Sequence, residues 1–176
     1  MEHYSMISKL KPSLPLSALL LVAGVVVGLT SCTQGTRSMN QSQLTEFATR
    51  YAAAWSSQNP GKLAAFYAQD GSLTVNTGAP SVGRAAITAT VQGFMTAFPN
   101  MLVKMDEVHG DDGSHATFRW IWTGANTGPG GTGRSVRMNG YEEWTMSADG
   151  LIQESRGHYD EAEYQRQLQS GAPPAP

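Results

Sequence analysis

The residues best suited to acid–base chemistry lie at every second position near the C-terminal end of the chain. Glu154, Arg156, His158 and Asp160 would share one face of a β-strand, because side chains alternate between its two faces. An acid, a guanidinium and an imidazole on one wall could orient a small molecule and exchange a proton with it. We predict Asp160 and His158 as catalytic residues and Arg156 as a ligand-binding residue. Asp160 also suits the N-cap of a following helix, which would explain it without chemistry.

Tryptophans and one acidic residue form a second set with strand spacing. Trp120 and Trp122 share one face of a predicted strand, and Glu142 and Trp144 share one face of the next. If these two strand faces line the same cavity, aromatic side chains enclose the carboxyl group of Glu142. Desolvation would then raise its pKa toward a range useful for proton transfer. We therefore predict Glu142 as a third catalytic residue and these tryptophans, with Trp55, as ligand-binding residues. The alternatives are aromatic packing in the core or a dimer face, and a surface or paired carboxylate.

Two other patterns indicate loops rather than binding sites. Residues 128–133 have the glycine spacing of a dinucleotide-binding loop, but a strand pattern follows where a phosphate-binding helix would be needed. We interpret this segment as a flexible hairpin loop that could form a rim of the pocket. His109 and His115 flank a turn with aspartates, which is typical of a solvated hairpin tip. Neither a cofactor nor a metal ion is predicted.

Helical periodicity dominates the first half of the chain after residue 41. Ser42 is the predicted N-cap of an amphipathic helix over residues 43–57, and Asn59-Pro60 starts a second, short helix. A short strand over residues 72–76 and a loop over residues 78–83 follow. A third helix carries apolar residues from Ile87 to Phe98 and ends before the next proline.

After this helix the apolar period changes from helical to alternating. Four strands are separated by the turn signal Asp112-Gly113, the glycine-rich loop and the turn signal Asp149-Gly150, and a short helix over residues 161–169 ends the domain. Helices first and strands last predict an α+β domain. Its curved sheet, with four to five mainly antiparallel strands, would be covered on the concave face by three N-terminal helices, leaving a pocket between the layers.

The N-terminus has the pattern of an export signal. Lys9 and Lys11 precede an apolar run over residues 14–29, which is short for a membrane span. The next residues, Leu29-Thr30-Ser31-Cys32, resemble the bacterial lipobox, in which the cysteine is lipidated and the chain is cut just before it. We predict a signal peptide over residues 1–31 and a lipidated Cys32 with a flexible tether over residues 32–41. A folded domain over residues 42–169 and a disordered Pro-rich tail over residues 170–176 complete the predicted organisation.

The charge distribution limits the classes of partner. The chain has a formal net charge of −2 and no cluster of basic residues, so nucleic acid is not an expected partner. Contact with a membrane is expected only through the lipid anchor. The single cysteine also excludes an intramolecular disulfide.

The order of these pieces resembles the SnoaL-like (polyketide cyclase or ester cyclase-like) branch of the nuclear transport factor 2-like superfamily. The resemblance covers about residues 44–169 and implies a cone with a ligand cavity between sheet and helices, and a homodimer. Polyketide cyclases of this branch use an Asp near the last strand as acid and base, and Asp160 best matches it. The family's partner His is not evident. The motifs that carry the resemblance are Leu63-Ala64-Ala65-Phe66-Tyr67, Gly83-Arg84-Ala85-Ala86-Ile87, Phe118-Arg119-Trp120-Ile121-Trp122, Asn139-Gly140-Tyr141-Glu142-Glu143-Trp144 and Tyr159-Asp160.

Three functions are compatible with these patterns. The first is a tethered module that binds a small, partly hydrophobic molecule at the cell envelope. The second is an acid–base enzyme of the cyclase, isomerase or hydrolase type, acting through Asp160. The third is a non-catalytic envelope scaffold. In a Gram-negative host, Thr33 after the lipidated cysteine favours the outer membrane, with the domain facing the periplasm.

Overall fold

The computed structural model describes residues 39–111 and 114–173. The predicted signal peptide, Cys32, most of the tether and the last three residues of the tail lie outside these ranges. Among the described helices, none combines the length and the apolar character needed to cross a membrane.

Three helices precede or interrupt the first strands, as the apolar periodicity predicts. Asn40 is the N-cap of the first helix, since its side chain accepts a hydrogen bond from the backbone N–H of Gln43 and the Gln43 side chain accepts one from the backbone N–H of Asn40. The prediction of Ser42 as N-cap was wrong. The helix begins two residues earlier, because Asn40 and Gln43 form these two capping hydrogen bonds. The helices are α1 (Gln41–Trp55), α2 (Pro60–Ala64) and α3 (Arg84–Ala97).

Six strands form a single mixed sheet with the spatial order β2-β1-β6-β5-β4-β3. Strands β1 and β6 pair in parallel, and every other neighbouring pair is antiparallel. The first strand is longer than predicted, and the segment predicted as a loop contains a two-residue strand at the sheet edge. The strands are β1 (Tyr67–Val75), β2 (Ser81–Val82), β3 (Leu102–Gly110), β4 (His115–Ala125), β5 (Ser135–Met146) and β6 (Ile152–Tyr159), and α4 (Glu161–Ser170) follows.

The curved sheet buries one face against the helices, which confirms the predicted α+β architecture. In β4 and β5 the inward residues follow the predicted parity, with Phe118 and Trp144 stacked at a ring separation of 4.9 Å. In β3 the residue Asp106 is extra, because Met105 pairs with Trp120 while Glu107 pairs with the next residue back, Arg119. Such a bulge bends the strand.

The glycine-rich loop makes hydrogen bonds with the side chain of Asn126 and packs against α3. Asn126 donates to the carbonyl of Ala97 at the end of α3 and accepts from the backbone N–H of Thr132. Gly128 lies so close to α3 that a Cβ there would stand 1.9 Å from the carbonyl oxygen of Thr96. The prediction of a hairpin loop is correct in position, and the Asn126 hydrogen bonds and the close approach of Gly128 connect this loop to α3.

Candidate functional site

A cavity lies between the inner face of the sheet and the helices. About 60 Å³ of it is open to the centres of water-sized molecules, which is room for a few waters or a small ligand. Its walls are almost entirely apolar, and Glu142 is the one residue with a carboxyl group among those that line it. The lining residues are Trp55, Leu73, Val75, Phe94, Met101, Val103, Trp120, Trp122, Glu142, Gly157 and Tyr159.

Glu142 projects from the middle of β5 and is only 5% exposed. Its Oε2 accepts three hydrogen bonds, from the Tyr51 hydroxyl at 2.9 Å, the Trp144 indole at 2.9 Å and the Ser155 hydroxyl at 2.6 Å. The Tyr67 hydroxyl lies 2.8 Å from that of Tyr51. Since Tyr51 uses its single proton toward Glu142, Tyr67 donates to Tyr51. The carboxyl group is therefore the end of a directed chain of donors.

The two oxygens of Glu142 have different surroundings. All three hydrogen bonds go to Oε2, and no described residue donates to Oε1. Glu142 is a lining residue of the cavity, so its Oε1 is the oxygen left for a molecule bound there. When the carboxyl group is protonated, the proton resides on Oε1, because Oε2 already accepts three donors.

Burial controls the protonation of this network. Desolvation raises the pKa of Glu142 above its ordinary value of 4.5, and the three donors only partly oppose this effect. Desolvation also raises the pKa of Tyr51 and of Tyr67, and the nearby Glu142 carboxylate adds to it. Both hydroxyls therefore stay protonated and serve as donors. The arrangement can bind a polar group and exchange one proton at Glu142 Oε1.

Two buried indole groups in the cavity wall lack an acceptor. Trp120 and Trp122 are 9% and 4% exposed, and within residues 39–111 and 114–173 nothing accepts a hydrogen bond from either Nε1. They are neighbours on the inner face of β4. Trp144 differs, because its indole donates to Glu142. Both indole N–H groups are thus buried donors that the described residues do not satisfy.

Two glycines shape the space around Glu142. A Cβ at Gly140 would stand 2.3 Å from the carbonyl oxygen of His158 and 2.4 Å from the Trp120 ring, so only glycine lets that ring lie across β5. Gly157 is opposite Glu142 in β6, and a Cβ there would meet Glu142 and Thr74 at 3.6 Å. That contact is ordinary, so a small side chain at position 157 would fit and would reduce the cavity.

The structure places Asp160 away from the cavity. It is exposed and is the N-cap of α4, with its carboxylate accepting from the backbone N–H of Glu163 at 3.0 Å. It borders a depression on the outer face of the sheet, together with His158 and Arg137. Asp160 is therefore a helix cap, which is the alternative to a catalytic role that the sequence also indicates.

The predicted inward face of β6 was wrong. The inward residues are Ser155, Gly157 and Tyr159, while Glu154, Arg156 and His158 lie on the other face. The reason is pairing with β5, where Glu142 faces Gly157 across the strands. Arg156 pairs with Glu154 at 2.8 Å, and His158 Nε2 lies 3.2 Å from Glu143 on the outer face.

Of the predicted site residues, the structure brings Trp55, Trp120, Trp122 and Glu142 together around the cavity. Trp144 lies in the core beside them, 1% exposed, and contacts Glu142 rather than the open space. In the described part of the chain, no group of three or more His, Cys, Asp or Glu could hold a metal ion.

Sequence reasoning missed Tyr51, Tyr67 and Ser155 as members of the site. Tyr51 and Tyr67 lie among apolar residues of the sequence, where a tyrosine hydroxyl has no signal of its own. A buried tyrosine generally needs a hydrogen-bond partner, which is the one available hint. Ser155 was missed because the opposite parity of β6 was taken as inward.

A protein-family model matches the sequence of this domain. The SnoaL-like domain model matches residues 48–155, which includes α2, α3, the strands from β1 to β5 and most of α1. The chain belongs to the SnoaL-like family. No curated protein matches its sequence.

Several solved structures share the fold of this SnoaL-like domain at low sequence identity. One is a ketosteroid isomerase-like protein from Catenulispora acidiphila DSM 44928 in complex with trimethylamine, with a TM-score of 0.63 and 21% identity over 70% of this chain and 92% of that one. A candidate polyketide cyclase from Xanthomonas campestris pv. campestris has a TM-score of 0.62 and 21% identity, over 74% and 99%. The epoxide hydrolase/cyclase-like enzyme SalBIII has a TM-score of 0.61 and 15% identity, over 70% and 95%. At these sequence identities, the similarities show a shared fold.

Proposed function

We propose that this SnoaL-like domain binds a small, partly hydrophobic molecule in the cavity between sheet and helices, with Glu142 as its principal polar contact. The observation that carries the proposal is the asymmetry of the Glu142 carboxyl group. Three donors occupy Oε2 and none of the described residues occupies Oε1. A buried carboxyl group is costly unless its oxygens are paired, and a bound molecule would pair the second one.

Acid–base catalysis in the same cavity is the second candidate function. Glu142, rather than the exposed Asp160, would carry it, because burial raises the pKa of Glu142 and its Oε1 is positioned for proton exchange. The fold likeness to SalBIII and to the Xanthomonas protein supports this candidate by analogy only. The complex of the Catenulispora protein with trimethylamine supports the binding of small molecules in the same way.

The setting of the domain is a further part of the proposal. We propose that Cys32 carries a lipid anchor and holds the domain at the cell envelope. In a Gram-negative host the domain would face the periplasm from the outer membrane. A homodimer through the outer face of the sheet is also proposed, by resemblance to the superfamily.

Native mass spectrometry of the full chain, purified from its own host, tests the binding proposal. The wild type is expected to carry a small molecule of discrete mass that is lost on collisional activation. Gly157→Val, which adds branches beside Glu142, is expected to lose it. Gly93→Val is the matched control, because Gly93 lies on the exposed side of α3 with nothing within 4 Å of its added Cβ. Equal ligand content in both variants, or none in the wild type, would contradict the proposal.

A further inference from the structure

The cavity contains an acidic group without a counter-ion. Glu142 is the one residue with a carboxyl group among those that line it, and no Lys, Arg or His of residues 39–111 and 114–173 lines it. Buried charges in native proteins are paired, because a charge that is taken out of water loses its hydration without replacement. When Glu142 is ionised, its positive partner therefore comes from outside the described part of the chain.

The hydrogen bonds of Glu142 match its ionised form. Its Oε2 accepts three donors, from the side chains of Tyr51, Trp144 and Ser155. The carbonyl oxygen of a neutral acid has two lone pairs, whereas a carboxylate oxygen carries negative charge that each of the three donors stabilises. Desolvation opposes ionisation and raises the pKa of Glu142 in the protein alone. A cation bound beside Oε1 would offset this effect and favour the carboxylate.

Aromatic side chains line the same cavity as this carboxyl group. Phe94 stands nearly perpendicular to Trp55, at 84°, and to Trp122, at 86°, with ring centres 6.1 Å apart in both pairs. The three rings are thus adjoining walls that meet at close to a right angle. Aromatic walls attract ammonium groups, because the negative face of each ring favours a nearby positive charge. The aromatic lining residues are Trp55, Phe94, Trp120, Trp122 and Tyr159.

The hydrogen-bonding capacity of Glu142 limits the kind of ammonium group. Its Oε1 is the carboxyl oxygen without a donor among the described residues, and a single N–H group satisfies it. A tertiary ammonium carries one N–H and three alkyl groups, so the N–H can pair with Oε1 while the alkyl groups contact the rings. A primary ammonium would bring two further donors, which apolar walls leave unpaired.

We infer that the cavity binds a small tertiary alkylammonium cation, held by a hydrogen bond from its N–H to Glu142 Oε1 and by the rings of Trp55, Phe94 and Trp122. The inference rests on the proposed function, since it names the ligand class of the same cavity. Binding displaces a proton, because the neutral carboxyl group gives its proton to the solvent and the ligand N–H then donates to the carboxylate. Glu142 and the three rings are thereby specificity-determining residues.

Isothermal titration calorimetry with a matched pair of probes tests this inference. The full chain is kept in a non-ionic detergent and is dialysed to remove small molecules that co-purify with it. The probes are N-methylpyrrolidinium, a tertiary ammonium cation, and 1-methylcyclopentanol, which has a similar carbon frame and a neutral hydroxyl group in place of the cationic N–H. At pH 8 the cation is expected to bind at least about ten-fold more tightly than the alcohol, because its hydrogen bond to the carboxylate is charge-assisted.

Two variants separate the carboxylate from the aromatic wall. Glu142→Gln keeps the shape of the side chain and removes its charge, and it should weaken binding of the cation by at least about ten-fold with a much smaller change for the alcohol. Phe94→Leu keeps an apolar side chain and removes the ring. It should weaken binding of the cation by roughly 2- to 5-fold and leave alcohol binding unchanged, which also shows that the cavity is intact.

Proton release is a second readout of the same titrations. At pH 5, heats measured in two buffers of different ionisation enthalpy should show that the wild type releases a fraction of one proton when the cation binds. This fraction should fall as the pH rises through the raised pKa of Glu142, and Glu142→Gln should release none. The other titratable side chains at the network and the cavity are Tyr51, Tyr67 and Tyr159. Burial raises their pKa values, so they stay protonated.

Three results would overturn the inference, and they separate it from the proposed function. Equal affinity for the two probes would show a binding cavity that does not discriminate charge. Cation binding that is undiminished in Glu142→Gln, or that releases no proton at pH 5, would place the cation away from this carboxyl group. If neither probe binds, the inference fails. If native mass spectrometry then also finds no ligand on the wild type, the proposed binding function fails with it.

Discussion

At the residue scale, the decisive feature is a carboxyl group whose two oxygens have unequal surroundings. Glu142 is enclosed by aromatic rings, and the hydroxyls of Tyr51 and Ser155 and the indole of Trp144 all converge on Oε2. Removing one of these donors would destabilise the carboxyl group, because each lost hydrogen bond costs more free energy in a buried polar network than at the surface. The exposed Asp160, in contrast, already has a complete account as the N-cap of α4. Of these two carboxyl groups, Glu142 is therefore the one that lies at the proposed binding cavity.

Replacement of Glu142 by Gln should remove a pH dependence of stability. Burial raises the pKa of Glu142 above 4.5 in the folded state, so the folded protein holds this proton more tightly than the unfolded chain. The resulting stabilisation is fully present below about pH 4.5 and is lost as the pH rises through the raised pKa. Within that window the free energy of unfolding of the wild type should fall, relative to Glu142→Gln, by up to about 1.4 kcal/mol per pH unit.

Urea denaturation of both proteins between pH 4 and pH 9 measures this difference. Glu143→Gln is the matched control, because it removes an exposed carboxylate from the next position of the same strand. Parallel profiles for the wild type and Glu142→Gln would show that Glu142 binds its proton equally in both states, and would contradict the account of its environment.

At the scale of elements, register decides which residues meet. Periodicity was sufficient to predict α1, α3, β4 and β5, because their inward faces are strongly apolar. It failed for β6, whose inward positions hold Ser155 and Gly157, small residues that carry no hydrophobic signal. They are small because Glu142 and the cavity lie opposite them. The convergence of α1, β5 and β6 on one carboxyl group depends on this pairing, which a single strand's sequence does not encode.

Gly140→Ala should destabilise the protein by disrupting the packing of the Trp120 ring against β5. Its Cβ would stand 2.3 Å from the carbonyl oxygen of His158 and 2.4 Å from the Trp120 ring, so one of them must move. Overpacking of this kind costs about 1–3 kcal/mol. Gly157→Ala is the control on the neighbouring strand, since its Cβ has contacts of 3.6 Å and little change is expected. Chemical denaturation of the two variants compares them, and equal stabilities would be inconsistent with this packing.

At the scale of the whole molecule, the sheet and helices enclose a space that the side chains do not fill. The family model and the solved structures establish the SnoaL-like fold, and a fold by itself does not determine a function. The residues that line the cavity of this chain include Glu142, Trp120 and Trp122. The resemblance could predict that a cavity exists. It could not predict which strand faces line it, because that follows from pairings across the sheet.

The most direct test of the central claim is a crystal structure of the protein purified from its own host. Connected density of a small molecule is expected in the cavity, with one of its atoms within hydrogen-bond distance of Glu142 Oε1. The apolar side chains of Leu73, Val103 and Phe94 should contact the rest of that molecule. A cavity closed by side chains, with Glu142 Oε1 bonded to the protein itself, would contradict the proposed binding function and give Glu142 a purely structural role.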